Sequence, residues 1–143
     1  MSWEFNFIDH TADIAVEVKG DTIEELFTAS AFAWQESVIE KSDINLSDKR
    51  ELNIEEISCE ELLVRFLDEL NYLLLTKKWI MGKLNHIEIK KKEEMYNLRA
   101  VISGESISLK RHHLKVEIKA VTFHQMEIRK VNTKYSTRII FDI

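Results

Sequence analysis

Proline is absent from the 143-residue sequence, and glycine occurs only three times. Flexible linkers and tails are rich in these residues or in serine, so their scarcity argues against a long unstructured segment. A chain of this length with 45% hydrophobic residues can bury one core of ordinary size. We therefore expect residues 1–143 to form a single domain. The three glycines also lie too far apart in sequence to build a phosphate-binding loop.

Cysteine is equally scarce, because Cys59 is the only one. One thiol cannot form an intramolecular disulfide, which makes a cytoplasmic location the simpler expectation. Cys59 lies at the first turn of a predicted helix, where the pKa of a thiol can fall. A buried structural cysteine is the commoner explanation at such a position.

Long hydrophobic runs are missing as well. The apolar stretches, such as those at residues 73–75 and 138–141, are far too short to cross a bilayer. The sequence begins with strand-like residues 3–7 instead of a basic segment followed by a long apolar run. Neither a membrane span nor a signal peptide is therefore expected.

Basic charge is in deficit, with 20 Lys and Arg residues against 25 Asp and Glu residues and a net charge of −5. Proteins that grip phosphates usually present a basic patch. The densest basic run is Lys90–Lys92, and Glu93 and Glu94 follow it directly, which is typical of a solvated turn. If the chain serves RNA chemistry, we expect it to meet RNA indirectly, through a protein partner.

Hydrophobic periodicity predicts both helices and strands. Residues 3–7 and 14–18 alternate apolar and polar side chains, which predicts two strands paired as a hairpin. Thr22 with Glu25 fits a capping box that opens a helix over residues 22–39. Ser58 with Glu61 fits a second box, followed by a strongly amphipathic helix.

The second half of the chain predicts strands alone from Gly82 onward, with residues 41–49 and 104–113 as loops. Strands are expected over residues 84–89, 98–102, 115–120 with a continuation to 128, and 139–143. This order favours an α+β fold in two layers, a mostly antiparallel sheet with two helices on one face. A strand–helix–strand–strand order occurs twice, although no residue-level repeat is visible.

Two short acidic segments are candidates for chemistry. Asp9-His10-Thr11-Ala12-Asp13 separates the first two strands, where aspartates commonly stabilise turns. The last residues, Phe141-Asp142-Ile143, continue an apolar strand, so the terminal carboxylate of Ile143 would be held beside Asp142. If that strand lies near the first turn, Asp13 supplies a third carboxylate.

Three adjacent carboxylates would need compensation. Two unit charges about 4 Å apart repel by about 4 kcal/mol at an effective dielectric of ~20. A shared proton, a lysine or a bound cation can offset this repulsion, and Lys119 is the candidate lysine. Carboxylate oxygens favour calcium, magnesium or manganese over zinc. The sequence alone leaves all three forms of compensation open.

Lys119 begins a third polar segment, Lys-Ala-Val-Thr-Phe-His, that ends at His124. A solvated strand lysine explains Lys119 on its own, and a satisfied core or edge histidine explains His124. His112 and His113 are adjacent on an extended segment, so their side chains would point to opposite faces and make a poor chelate.

Several segments together resemble the archease family. The resemblance runs from one end of the sequence to the other in the family's order, through Asp9–Asp13, Gly20–Phe27, Phe66–Leu73, Gly104-Glu105, Val116–His124 and Phe141–Ile143. It implies a fold of two interlocked strand–helix–strand–strand modules and a protein that is not itself an enzyme.

The resemblance also implies a role. Archeases assist RtcB-type RNA ligases, which join RNA ends bearing a 3′-phosphate or cyclic phosphate to a 5′-hydroxyl, in tRNA splicing and RNA repair. They promote guanylylation of the ligase by GTP and allow multiple turnovers. The family's metal site corresponds to Asp13, Asp142 and Ile143, with calcium expected and magnesium or manganese as alternatives.

Three further positions, His10, Lys119 and His124, correspond less closely to residues of functional importance in the family. Residues 106–110 replace a family loop that usually contains proline and aspartate, which puts the contacts of that loop in doubt. Asp68 stands where the family often has asparagine. The alternative function is a metal-independent adaptor or chaperone-like module that binds protein or RNA; a small metal-dependent hydrolase fits less well, because no nucleophile and base pair is evident.

Overall fold

The computed structural model describes residues 2–8, 12–40, 43–123 and 126–143. Over these residues the chain forms two helices, α1 (Ile23–Val38) and α2 (Cys59–Leu75). It also forms eight strands: β1 (Trp3–Ile8), β2 (Ile14–Gly20), β3 (Asp48–Glu56), β4 (Trp79–Lys92), β5 (Met95–Ser106), β6 (Ala120–Thr122), β7 (Arg129–Val131) and β8 (Lys134–Asp142).

The strands form two antiparallel sheets. The larger sheet has the order β1-β2-β8-β6, with β7 also paired to β8, and the smaller has the order β3-β5-β4. Every strand pair in the described part of the chain is antiparallel. The α+β class and the predicted β1–β2 hairpin are therefore confirmed. The strands divide between two sheets, which the hydrophobic pattern did not reveal.

Each helix contacts both sheets. Helix α1 packs on β1, β2 and β8 of the larger sheet and also on β4 of the smaller one. Helix α2 packs on β3, β4 and β5 and also on β6. One hydrophobic core fills the space between these layers, with Trp34, Phe27 and Phe66 fully buried. The rings of Phe27 and Phe66 lie 5.9 Å apart across the two helices.

Both predicted capping boxes form. The Thr22 hydroxyl accepts a hydrogen bond from the Glu25 amide at 3.0 Å, and the Ser58 hydroxyl accepts one from the Glu61 amide at 3.1 Å. Each bond satisfies one of the amide groups that the first turn of a helix leaves unpaired. The helices therefore begin where the sequence predicts.

The glutamate before each capping glutamate reaches a backbone amide in or next to a strand of the other sheet. The Glu24 carboxylate, on α1, accepts a hydrogen bond from the Ile89 amide in β4 at 3.2 Å. The Glu60 carboxylate, on α2, accepts one from the Ile128 amide at 3.0 Å, one residue before β7. The two helix starts thus share the pattern Thr/Ser-X-Glu-Glu-Leu, a residue-level repeat that sequence inspection missed.

Strand ends differ from the predictions in the second half. β4 begins at Trp79 instead of near residue 84, and β8 begins at Lys134 instead of residue 139. β5 continues through Gly104 and Glu105, which were expected to open a loop. Gly104 is required there by a close approach, because a Cβ at this position would collide with the Ile80 carbonyl of β4.

The strand predicted over residues 115–120 is wrong for most of its length. Only Ala120–Thr122 pairs as a strand, although Ile118 is fully buried. The backbone of residues 114–119 instead bonds to the end of α1, to a side chain of α2 and to β8. Alternating burial therefore arose without a strand partner.

Candidate functional site at the carboxyl-terminal strand

The register of β2 and β8 brings the first and last acidic segments together. Ile14 pairs with Phe141, so Asp13 and Asp142 occupy the same end of this strand pair. Asp13 is half-buried, and Asp142 and Ile143 are exposed. The spatial convergence on which the predicted carboxylate cluster depends is therefore present in the backbone.

Lys119 reaches the same end from the other side of β8. Its amide donates a hydrogen bond to the Asp142 carbonyl at 2.7 Å, and Ala120 pairs with Asp142 in the sheet. Because β8 lies between β2 and β6, Asp142 is flanked by Asp13 on one side and by Lys119 on the other. We call Asp13, Asp142, Ile143 and Lys119 the carboxyl-end site. Two residues with carboxylate side chains and one with an ammonium group thus lie at the same end of three neighbouring strands.

The irregular segment at residues 114–119, which carries Lys119, is fixed by backbone contacts. The Lys115 amide donates to the Val38 carbonyl at 2.8 Å, and Leu114 forms an isolated bridge with Ile39. Near its other end, the Ile118 carbonyl accepts a hydrogen bond from Asn71 at 2.7 Å. Buried backbone polar groups need partners of this kind, and here they come from both helices.

Asn71 links the core to the site. Its amide nitrogen donates to the Ile118 carbonyl, and its amide oxygen accepts from the Trp34 indole nitrogen at 3.0 Å. Asn71 is 6% exposed and Trp34 is fully buried. The side chain therefore ties α1, α2 and the residue before Lys119 together. One signal for Asn71 was visible in the sequence, because it is a polar residue at a core position of an amphipathic helix.

Asp68 explains part of the departure from the family pattern. The Val121 amide in β6 donates a hydrogen bond to the Asp68 carboxylate. Desolvation raises the pKa of Asp68, while this hydrogen bond acts in the opposite direction. An asparagine oxygen can accept the same bond, so either residue can support β6 beside the site.

A buried ionic cluster anchors the loop before this segment. Glu105 is 7% exposed. Its carboxylate accepts hydrogen bonds from both terminal nitrogens of Arg111, from Nε2 of His112 at 3.0 Å and from the Asn45 amide at 2.6 Å. His112 Nδ1 accepts from the Ser108 amide at 2.9 Å, which leaves Nε2 as the donor to Glu105. The loop that lacks the family's proline and acid is therefore held by Glu105.

These donors set the charge state of Glu105. The Arg111 hydrogen bonds are the main cause, with the Asn45 amide and His112 adding to them, and together they lower the pKa of Glu105 from 4.5 to about 2 despite its burial. In turn, the hydrogen bonds to Glu105 raise the pKa of Arg111. Buried His112 and exposed His113 face different environments, as predicted for adjacent histidines.

A cavity of about 340 Å³ opens beside Asp13. Phe7, Ile14 and Val116 give it apolar walls, and Lys115 and Glu36 add charged groups. The Lys115 ammonium donates to the Glu36 carbonyl at 2.9 Å, which holds the lysine stem across the cavity. Lys115 was not among the predicted site residues; its sequence context gave no indication that it would lie near Asp13.

The remaining predicted residues have different outcomes. His10 and His124 lie outside the described residues, as do Asp9 and Thr11. Within the described ranges no group of three or more His, Cys, Asp or Glu side chains is arranged to hold a metal. The predicted ligand set has two carboxylate side chains and a main-chain group of Ile143, and it stays a prediction.

Cys59 is part-buried, and desolvation is the main cause that raises the pKa of its thiol, with Glu60 adding to the effect. This environment is the opposite of an activated thiol, which supports the structural explanation for Cys59. No helix among the described residues is long and apolar enough to cross a membrane.

Fold and site together define a class: a small α+β protein in which two interlocked helix–sheet units bring acidic and basic groups to its carboxyl-terminal strand. The model of the Archease protein family (MTH1598/TM1083) matches residues 5–143. An archease from Methanosarcina mazei is 32% identical over 140 residues, which cover 98% of this chain and 96% of that protein. An archease from Thermococcus gammatolerans is 36% identical over 129 residues, covering 90% and 89%.

Solved structures agree. The solution structure of protein 1598 from Methanobacterium thermoautotrophicum has a TM-score of 0.84 and 32% identity, covering 97% of this chain and 98% of that one. A crystal structure from Thermotoga maritima, described as an archease and possible chaperone, has a TM-score of 0.61 and 24% identity, covering 95% and 94%. The second likeness concerns the fold alone. The chain belongs to the archease family.

Proposed function

We propose that this chain is a cytoplasmic, non-enzymatic activator of an RtcB-type RNA ligase and contacts RNA only through that ligase. Family membership supports the proposal, and one observation carries it. Because β8 lies between β2 and β6, Asp13, Asp142 and Lys119 lie together at one end of these three strands. Opposite charges held at the end of a sheet suit contact with a partner's charged active site. They suit tight binding of RNA less well, because a net charge of −5 disfavours it.

A divalent cation fits the oxygen donors of the carboxyl-end site. Asp13 and Asp142 offer carboxylate oxygens, and Ile143 offers a main-chain oxygen beside them. Such all-oxygen ligands favour calcium, with magnesium or manganese as alternatives. A bound cation would neutralise the two carboxylates and fix the end of β8. The rest of the coordination shell would come from solvent or from the partner.

Lys119 supplies the basic part of the proposed contact. Its backbone is fixed through the Asp142 carbonyl, while its side chain is exposed. We infer that this ammonium group and the neighbouring carboxylates enter the ligase active site together. There they would reposition the GTP phosphates and manganese that guanylylation requires, with Lys119 attracting phosphate oxygens and the acids attracting cations.

The test is the rate of ligase guanylylation by GTP with Asp13→Ala, Asp142→Ala and Lys119→Ala. Each should reduce the stimulation by about tenfold or more, the loss expected when a positioning interaction is removed. Asp48→Ala, at an exposed aspartate at the start of β3, is the matched control and should stimulate normally. Undiminished stimulation by all three folded variants would reject the proposal.

The second candidate function is a metal-independent adaptor or chaperone-like module. Exposed aliphatic side chains such as Leu109 and Leu114 favour it, because client proteins are bound through apolar surface. Calcium or manganese titration with thermal melting separates the two candidates. The ligase-activator proposal expects a cation-dependent rise in Tm that Asp142→Ala abolishes. The adaptor expects no such rise, and suppression of client aggregation that is independent of Asp142.

A further inference from the structure

An apolar groove of about 470 Å³ lies between the end of α2 and the segment that leads to Lys119. Its aliphatic lining includes Leu75, Ile107, Leu109, Leu114 and Val116. Leu109 is 78% exposed and Leu114 is 47% exposed. Contiguous exposed aliphatic surface in a concave site marks a place where another molecule binds.

Lysines surround this groove. Lys78 and Lys115 line it, Lys77 and Lys110 adjoin it in sequence, and all four are exposed, whereas Glu117 is the one acidic residue in the described lining. Among the described residues, none of the four lysines lies within ion-pair distance of a carboxylate. A chain with a net charge of −5 therefore concentrates unpaired positive charge at this groove.

Two of these lysines are already oriented. The Lys78 ammonium donates to the Leu75 carbonyl at the end of α2 at 2.8 Å, and the Lys115 ammonium donates to the Glu36 carbonyl. An ammonium group has three donors, so each retains donors for a carboxylate. The lysine stems also add apolar surface to the groove walls.

We propose that this groove docks an acidic amphipathic segment of a partner protein. Its apolar side chains would fill the space between Leu75 and Leu109, and its carboxylates would pair with the surrounding lysines. RNA fits less well, because single-stranded nucleic acid is held by aromatic stacking and no aromatic side chain is among the described lining residues. The aliphatic lining instead matches a helix that presents apolar anchors at three- and four-residue spacing.

The groove adjoins the carboxyl-end site. Lys115 and Val116 line both the groove and the cavity that contains Asp13. A segment seated in the groove would therefore hold its parent protein against the site. Taking that parent protein to be the ligase rests on the proposed function; the chemistry of the docked segment does not.

The test measures the Kd of the full chain for its cognate ligase. Leu109→Glu and the charge reversal Lys78→Glu/Lys115→Glu should each weaken binding by about tenfold or more. Ile57→Glu is the matched control, because Ile57 is a 65% exposed aliphatic residue outside the groove, and it should change the Kd by less than about twofold. Asp142→Asn should abolish the stimulation of guanylylation, whereas the groove variants should lose stimulation only in proportion to their weaker binding, which separates docking from activation.

Equal effects of Leu109→Glu and Ile57→Glu would overturn the groove proposal. So would a 20-nucleotide single-stranded RNA that binds wild type and not Leu109→Glu, or a dimer in sedimentation that Leu109→Glu dissociates, because RNA or a second copy would then be the occupant. If wild type does not bind the ligase, the proposed function fails, and a fluorescein-labelled helical peptide of leucine and glutamate decides the groove. Binding that Leu109→Glu abolishes supports it, and no binding overturns it.

Discussion

At the scale of single residues, Glu105 shows how a buried charge organises a loop. Its carboxylate accepts hydrogen bonds from Arg111, His112 and the Asn45 amide, so removal of its charge leaves several donors without their acceptor. We expect Glu105→Gln to lower the free energy of unfolding by about 3 kcal/mol. Urea denaturation measures this change.

The control is the exposed Glu51–Arg99 pair, in which both side chains are 48% exposed. Solvent screens such a pair, so Glu51→Gln should change the free energy of unfolding far less than Glu105→Gln does. A smaller cost for Glu105→Gln than for Glu51→Gln would contradict the anchoring role.

Glu105 also predicts an acid-sensitive stability. Arg111, with the Asn45 amide and His112, lowers the pKa of Glu105 from 4.5 to about 2 in the folded chain. A carboxylate whose pKa is lower in the folded chain stabilises the fold at pH values above its pKa in the unfolded chain. This stabilisation is lost as the pH falls through the pKa of the folded chain. The stability difference between wild type and Glu105→Gln should therefore be full at pH 6 and shrink steadily between about pH 4.5 and about pH 2. Urea midpoints measured across this range test it, and a pH-independent difference would refute it.

Asn71 supports a second prediction for a single side chain. Replacement by alanine leaves the Trp34 indole nitrogen and the Ile118 carbonyl without partners. We expect Asn71→Ala to cost about 2 to 4 kcal/mol of unfolding free energy, as buried unsatisfied groups do. Asn53→Ala, at an exposed position of β3, should be close to neutral. Amide exchange at Lys119 should accelerate in Asn71→Ala more than exchange at Leu98; equal acceleration would argue against a link to the site.

At the scale of helices and strands, the two helix starts should be energetically alike. Thr22 and Ser58 each accept one amide hydrogen bond from the residue three positions later. Thr22→Ala and Ser58→Ala should each reduce stability by about 1 kcal/mol, and the double variant by their sum, because the caps do not touch. Thermal melting of the four proteins checks both size and additivity. A negligible loss in either single variant would contradict the capping role.

The same scale shows what sequence can and cannot predict. Capping residues and helical periodicity are local, so α1 and α2 were located to within about a residue. Residues 115–119 misled the prediction because alternating burial also arises where an extended chain lies over helices. The Glu105 cluster was missed because Asn45 comes from a segment 60 positions away in sequence, while Arg111 and His112 reach Glu105 only through the path of their own loop.

At the scale of the whole molecule, topology creates the carboxyl-end site. Asp13 and Asp142 are 129 positions apart in sequence, and the pairing of Ile14 with Phe141 brings them to the same end of β2 and β8. Composition and spacing named these residues as candidates, while their proximity depends on β8 lying between β2 and β6. The contribution of Lys115 could not be predicted, because it depends on how residues 114–119 cross the end of α1.

The proposed activation of a ligase depends on the carboxyl-end site. The most direct measurement counts ligation products per molecule of cognate RtcB-type ligase, with GTP and manganese, in the presence of wild type or Asp142→Asn. Asparagine keeps the size of the side chain and the backbone contacts of Lys119 and Ala120, and removes only the charge. The account predicts many products per ligase with wild type and about one with Asp142→Asn. Equal product numbers with the two folded proteins would contradict it.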